Sequence, residues 1–274
     1  MIENNEHEQM VEGLWRKLLL NGDLKDSRFR RKFFKVLPGN NRCRVCYVPF
    51  EGSGGFMSKH LLGKYPSNIN PHLCNSCEDF ARKYHGGVEL ELTLLFADVR
   101  GSTTLAEKIS ATEFSRLINR FYIIATEVMV AADALIDKII GDQAAGIFVP
   151  GFAGPHHARR ALVAAQNILK RTGHSSPEGP WIPLGVGLHT GVAYVGSLGT
   201  DKGTSDVTVL GDVANTAARL SSNAKVGEIL ISQSAYQAIG PEVLGSLEQR
   251  EVTLKGKSEN MLVNVLTDYS RLAS

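Results

Sequence analysis

The chain has 274 residues, of which 43% are apolar, and it carries 30 lysines and arginines against 28 aspartates and glutamates. That composition can fill a real core, while a formal charge of +2 and a charged fraction of 21% argue against a disordered tail and against a globally basic nucleic-acid binder. The length allows one large domain, or one ordinary domain with a small companion.

The first ten residues, MIENNEHEQM, are acidic and polar and lack the basic and apolar regions of a secretory signal, so the expected location is the cytoplasm. Met10, Leu14 and Leu18, together with Val11, Trp15 and Leu19, recur at helical spacing and predict a short amphipathic helix. A basic run from Lys25 to Lys35 follows, and Pro38-Gly39 closes this helical and basic arm, residues 1–37. Within it, RFRRKFFK interleaves cations and aromatics. Such a stretch can grip phosphates and stack bases, or it can cover apolar surface with its long stems. The second reading is preferred, and nucleic acid is not an expected partner.

Residues 38–86 hold all four cysteines in two C-x-x-C pairs, Cys43 with Cys46 and Cys74 with Cys77, with 27 residues between the pairs. Disulfides are rare in a reducing cytosol, whereas four thiolates can surround one metal ion. Structural Zn2+ is favoured, with an iron–sulfur cluster as the alternative. The second pair opens a predicted helix, CNSCEDFARKYH, which suggests a treble-clef or zinc-ribbon-like module with one ligand pair at a helix N-terminus, where unpaired N–H groups favour thiolates. Arg42 and Arg44 are expected to offset the negative charge of the site.

From residue 87 onward strands alternate with helices, which predicts an α+β domain. LELTLLFADV reads as a buried strand, and Thr104 with Glu107 and Ser110 with Glu113 read as two capping boxes. The most apolar long stretch, Phe121 to Ile136, is broken by Thr126, Glu127 and Asp133, so no membrane-spanning segment is expected. ALIDKII and QAAGIFV form a predicted hairpin about Gly141-Asp142. A helix from His156 to Arg171 precedes PLGVGLHTGVAYVGSLG, read as two strands joined at a glycine-rich turn. A helix over Val213–Ser221 and strands at Glu228–Ile231, Leu247–Leu254 and Met261–Leu266 complete the domain.

Two carboxylates could carry chemistry, and one helical pair reads by itself as a solvated face. Asp98 ends a buried strand and is followed by Arg100, Gly101, Ser102 and Thr103, so a carboxylate for a divalent cation stands beside backbone N–H groups suited to phosphate. Asp142, at the hairpin tip, is a second carboxylate that strand pairing would bring near the first, and two carboxylates can hold the two metal ions that phosphoryl transfer uses. Asn215 and Arg219 are four apart and share a helix face.

The segments FADVRGST, KIIGDQAAGIF and VTVLGDVANTAARL, in that order, resemble the three signature segments of the class III nucleotidyl cyclases, over roughly Glu89 to Leu266. The resemblance implies a ferredoxin-like βαββαβ catalytic domain over 87–274, with Asp98 and Asp142 holding two Mg2+ or Mn2+ ions. It implies that Lys138 and Thr208 read an adenine base, that Asn215 orients the ribose, and that Arg219 neutralises charge on the transferred phosphorus. Lys255, or the adjacent Lys257, would bind the triphosphate, and the turn of Gly101, Ser102 and Thr103 would line the substrate. Thr208 stands where many members have aspartate, and Ser102 where aromatic residues are common. Since these residues meet across a head-to-tail dimer in the family, the resemblance implies a homodimer with two shared sites that converts ATP to cyclic AMP and pyrophosphate. The alternatives are a cyclase for GTP or a pyrimidine triphosphate, and a non-catalytic regulator that binds nucleotide or nucleic acid.

Overall fold

The computed structural model describes residues 2–22, 27–199, 206–253 and 260–269. In chain order the elements are α1 (Ile2–Arg16), a π-helical turn (Lys17–Asn21), α2 (Ser27–Val36), α3 (Gly52–Leu62), α4 (Asn75–Lys83), β1 (Gly86–Val99), α5 (Ser102–Lys108), α6 (Ala111–Ala131), β2 (Leu135–Ile140), β3 (Gln143–Phe148), α7 (Pro150–Ala153) and α8 (His157–Arg171). They continue with β4 (Leu184–Leu198), β5 (Asp206–Leu210), α9 (Asp212–Asn223), β6 (Ile229–Ser232), α10 (Gln233–Ile239), α11 (Pro241–Leu244), β7 (Glu248–Thr253) and β8 (Asn260–Leu266). No helix among the described residues is long and apolar enough to cross a membrane.

The chain divides into two compact units, residues 1–90, 149–154 and 193–210 in the first, and 91–148, 155–192 and 211–274 in the second. In the first unit Val11, Trp15 and Leu19 of the predicted amphipathic helix are buried. The Trp15 indole N–H donates to the Tyr84 carbonyl at 2.9 Å, and its ring meets Phe80 edge-on at 5.2 Å. Arg31 is only 3% exposed, with its guanidinium 4.0 Å from the Tyr47 ring centre and 3.9 Å from that of Phe152. A buried cation is costly unless partnered, and two aromatic faces and the Val45 carbonyl supply the partners.

The second unit is built on a sheet of order β2-β3-β1-β4-β6-β8-β7, to which β1 and β4 contribute residues 91–99 and 184–192. Its first four strands, with α6 between β1 and β2 and α8 between β3 and β4, are the expected ferredoxin-like βαββαβ arrangement. Strand β1 reads buried at every position from Leu92 to Val99, which explains its continuous apolar sequence. Helix α6 starts on a full capping box, in which Ser110 Oγ accepts from Glu113 N and the Glu113 carboxylate accepts from Ser110 N. The other predicted box does not form. Gly101, in the left-handed conformation, caps α5, which places Thr104 inside that helix.

The glycine-rich segment from Leu184 to Leu198 is one continuous strand, not two joined by a turn. Its glycines serve close packing. A Cβ on Gly187 would stand 2.4 Å from Ser221 N and 2.5 Å from Ala217 O, and one on Gly185 would stand 2.8 Å from Ala224 O. Helix α9 therefore lies directly on the β4 backbone. Replacing Gly187 with alanine should cost about 3 kcal/mol, read as a lowered denaturant midpoint with an unchanged slope, because the contact is backbone and cannot rotate away.

His157, 5% exposed, hydrogen-bonds Thr93 Oγ1 at 2.9 Å, and Thr93 Oγ1 bonds Thr190 Oγ1 at 2.7 Å. Burial holds His157 and His174 below the ordinary value of 6.5, so the folded state resists their protonation. The stability that their neutral rings confer is complete above 6.5 and is lost as pH falls from there through the depressed folded values. Thermal unfolding should accordingly move to lower temperature on acidification below 6.5, and His157→Gln should flatten that slope.

Candidate functional site

Antiparallel pairing of β1 with β3 sets Asp98 opposite Gln143, and Val99 N donates to the Asp142 carbonyl at 3.0 Å. The two aspartates thus stand at the same end of the sheet, one on the strand and one on the β2–β3 turn. Gly141 makes that turn with a φ of +65°, and Gly101 makes the turn after Asp98 with a φ of +66°. Asp98 is 5% exposed, and its carboxylate accepts from the Arg100 guanidinium, from Gln143 Nε2 at 2.5 Å and from Ser222 Oγ at 3.2 Å. Asp142 accepts from the Ser102 hydroxyl. Tyr122 donates to the Gly141 carbonyl at 2.6 Å, and burial, aided by the charge of Asp142, raises its pKa.

A buried carboxylate is expensive without a compensating charge, and Arg100 supplies one. Two carboxylates with oxygen-only donor atoms at one strand end, one already drawing a cation, make a set that suits a hard divalent ion. Arg100 is read from sequence only as part of the turn after Asp98, and Gln143 and Ser222 carry no sequence expectation. The register of β1 against β3 would have pointed to Gln143, whereas Ser222 arrives from α9, 124 residues away in the chain, and carries no local signal.

Asn215 and Arg219 lie on α9 as expected, with Asn215 exposed and Arg219 half-buried, while Val213, Thr216, Ala217 and Leu220 pack inward. Their side chains do not hydrogen-bond Asp98 or Asp142 within one chain; Ser222, one turn beyond Arg219, does. Ser102 opens α5 half-buried, and Thr103 next to it is exposed. Lys138 sits on β2 opposite Ala145, beside an irregularity between Ile136 and Lys138, and its side chain is outside the described residues. Lys255 and Lys257 also fall outside the described residues. Thr208 belongs to the first unit, on β5 opposite Gly196 of β4, half-buried.

The first unit also holds the cysteine centre. Cys43 and Cys46 sit on a tight turn in which Cys43 N donates to Val48 O at 3.0 Å, Tyr47 N donates to Cys43 O at 3.0 Å, and Tyr47 takes a φ of +67°. Cys74 caps α4 and Cys77 lies in its first turn, as the module type requires. The four sulfurs lie within 4.8 Å of one another, with Cys46 and Cys74 at 3.6 Å. Four bonds of about 2.3 Å in a tetrahedron of zinc and thiolates place sulfurs about 3.8 Å apart. A disulfide needs about 2.05 Å, and all four cysteines are free. The neighbouring thiols Cys43, Cys46 and Cys77 hydrogen-bond to Cys74 and lower its pKa, while the same network, led by Cys43, raises those of Cys46 and Cys77. Arg42 makes its hydrogen bonds elsewhere. Its guanidinium donates to the carbonyls of Phe34, Leu37 and Tyr47 and so ties the cysteine turn to α2. His60 is exposed and stacks on Phe56, with ring centres 4.4 Å apart.

Residues 88–267 match the model of the adenylate and guanylate cyclase catalytic domain. The chain belongs to this family. An adenylate cyclase of Anabaena cylindrica is 31% identical over 178 residues, 61% of this chain and 35% of that protein, so the chain spans about a third of that relative's length. The crystal structure of the adenylyl cyclase CyaB from P. aeruginosa superposes with a TM-score of 0.55 at 26% identity, covering 67% of this chain and 97% of that one. The guanylate cyclase domain of RhGC from Catenaria anguillulae, in complex with GTP, gives a TM-score of 0.54 at 25% identity over 65% of this chain and 96% of its own. The family domain therefore has structural neighbours named for either purine.

Proposed function

We propose that the chain is a class III nucleotidyl cyclase that converts ATP to 3',5'-cyclic AMP and pyrophosphate. The observation that supports this reading is that Asp98 and Asp142 stand at the same end of the sheet, Asp98 opposite Gln143 on β3 and Asp142 accepting at its carbonyl from Val99 N. These two carboxylates would hold two Mg2+ or Mn2+ ions, which supply Lewis acidity at the ribose 3'-hydroxyl and at the leaving pyrophosphate. The 3'-oxygen attacks the α-phosphorus, its proton passes to solvent water, and the bond to the bridging oxygen of pyrophosphate breaks. Arg219 offers a guanidinium that meets two phosphate oxygens at once, and Asn215 donates to the ribose. Lys255 or Lys257 neutralises the outgoing phosphates, and the Gly101–Thr103 turn lines them.

Adenine is favoured because an ammonium at Lys138 donates to a ring nitrogen and the Thr208 hydroxyl accepts from the exocyclic amine. A homodimer is proposed because Asn215 and Arg219 do not bond to the aspartates within one chain, so a second copy completes each site. The test is incubation of the purified protein with each of the four nucleoside triphosphates and Mg2+ or Mn2+, with products identified by mass spectrometry. Cyclic AMP should dominate. Asp98→Ala and Asp142→Ala should each lower turnover at least about 1,000-fold while circular dichroism stays native; retained turnover in both would sink the assignment.

The four cysteines are proposed to hold structural Zn2+. This rests on the spacing of their sulfurs and on a module whose small core, Phe34, Leu37, Val48 and Leu73, packs directly around them. Elemental analysis should find one zinc per chain, and Cys43→Ser with Cys74→Ser should abolish it. A brown protein with visible absorbance would point to iron and sulfide instead.

A further inference from the structure

We propose that the surface formed by α2 and α3 docks on anionic lipid bilayers. Phe29, Phe33 and Val36 recur at i, i+4 and i+7 on α2, so they form one stripe, yet they are 72%, 39% and 77% exposed. The buried side of the same helix is Arg31 and Phe34, continued by Leu37 just past its end. The helix therefore has a second apolar face that the described residues leave exposed. On the helical wheel this stripe is flanked by Arg30 on one side and Lys32 on the other, the pattern of a helix that lies in the headgroup plane with its apolar residues in the acyl boundary.

Helix α3, in the same unit, repeats the feature. Phe56 and Leu61 are 68% and 73% exposed there, and Leu62 and Tyr65 follow at 42% and 43%. The backbone ties the two helices together, since Gly54 N in the first turn of α3 donates to the carbonyl of Pro38, just beyond the end of α2, at 2.9 Å. Between residues 27 and 73 the sequence holds nine lysines and arginines and a single acid, Glu51. Most of the rest of the chain is near neutral or acidic, because the whole carries only +2.

That charge selects the occupant. A second copy of the same face would bring like charges together across an isologous contact, which opposes self-association. Nucleic acid would use the cations and the aromatic rings but would leave Val36, Leu61 and Leu62 in water or against sugar and phosphate. An anionic bilayer satisfies both sets at once, as cations meet headgroups while aliphatic and aromatic side chains leave water.

The experiment is flotation of the whole 274-residue chain, loaded with metal, with vesicles of phosphatidylcholine alone and of phosphatidylcholine with about 30% phosphatidylglycerol. The protein should float with the anionic vesicles, much less with the neutral ones, and the binding should weaken as salt is raised. Phe29→Ser with Val36→Ser should lower the partition about tenfold, and Phe56→Ser with Leu61→Ser should act likewise. These positions face solvent, so the variants should keep their zinc and their unfolding midpoint. Equal or absent flotation with both vesicle types overturns the proposal. So does binding of single-stranded RNA that the anionic vesicles fail to displace, or a concentration-dependent dimer that the same serine variants dissociate.

Discussion

Asp98 is carried into the interior by a strand that is buried at every position from Leu92 to Val99, and the residue is 5% exposed there. Water is not available to stabilise it, and three other segments supply what water would: the turn that follows, through Arg100, the neighbouring strand, through Gln143, and a helix distant in sequence, through Ser222. Each of these interactions requires a separate piece of the fold to be in register. The β1–β3 ladder must place Gln143 opposite Asp98, and α9 must lie close enough on β4 for Ser222 to reach across. The bare glycine backbone at Gly185 and Gly187 is what permits that approach. The partners of Asp98 and the close packing of α9 are thus two aspects of one constraint.

The cysteine module solves a different problem. Its core is small, and a cluster of a few apolar side chains rarely holds such a segment on its own. Four sulfurs gathered within 4.8 Å of one another form a set that could hold a metal ion, while Arg42 is engaged on backbone carbonyls and Arg31 between two rings. The module's outer face is unusual, since large apolar side chains stand in solvent among cations instead of turning inward.

Much of this was legible in the residues. Alternation of strand and helix signals predicted an α+β domain, the family resemblance implied its βαββαβ order, the capping box at Ser110 marked the start of α6, and the two C-x-x-C pairs predicted the cluster. Local rules failed where a residue's surroundings came from elsewhere in the chain. Thr104 has the spacing of a cap, but a left-handed glycine three residues earlier starts the helix first. The glycines between Leu184 and Leu198 look like turn formers, yet an overlying helix explains them.

By itself the sequence determined which residues can carry charge, bind metal or cross a sheet, because residue type, spacing and hydrophobic period are local properties. It also announced its family through three ordered segments. Only the tertiary structure decided which groups stabilise Asp98, that Asn215 and Arg219 make no hydrogen bond to it within a single chain, and that the aromatic residues of the basic arm divide between core and solvent. Those outcomes depend on contacts between segments tens to more than a hundred residues apart. The energy of such contacts is set by packing and register, which no short window of sequence contains.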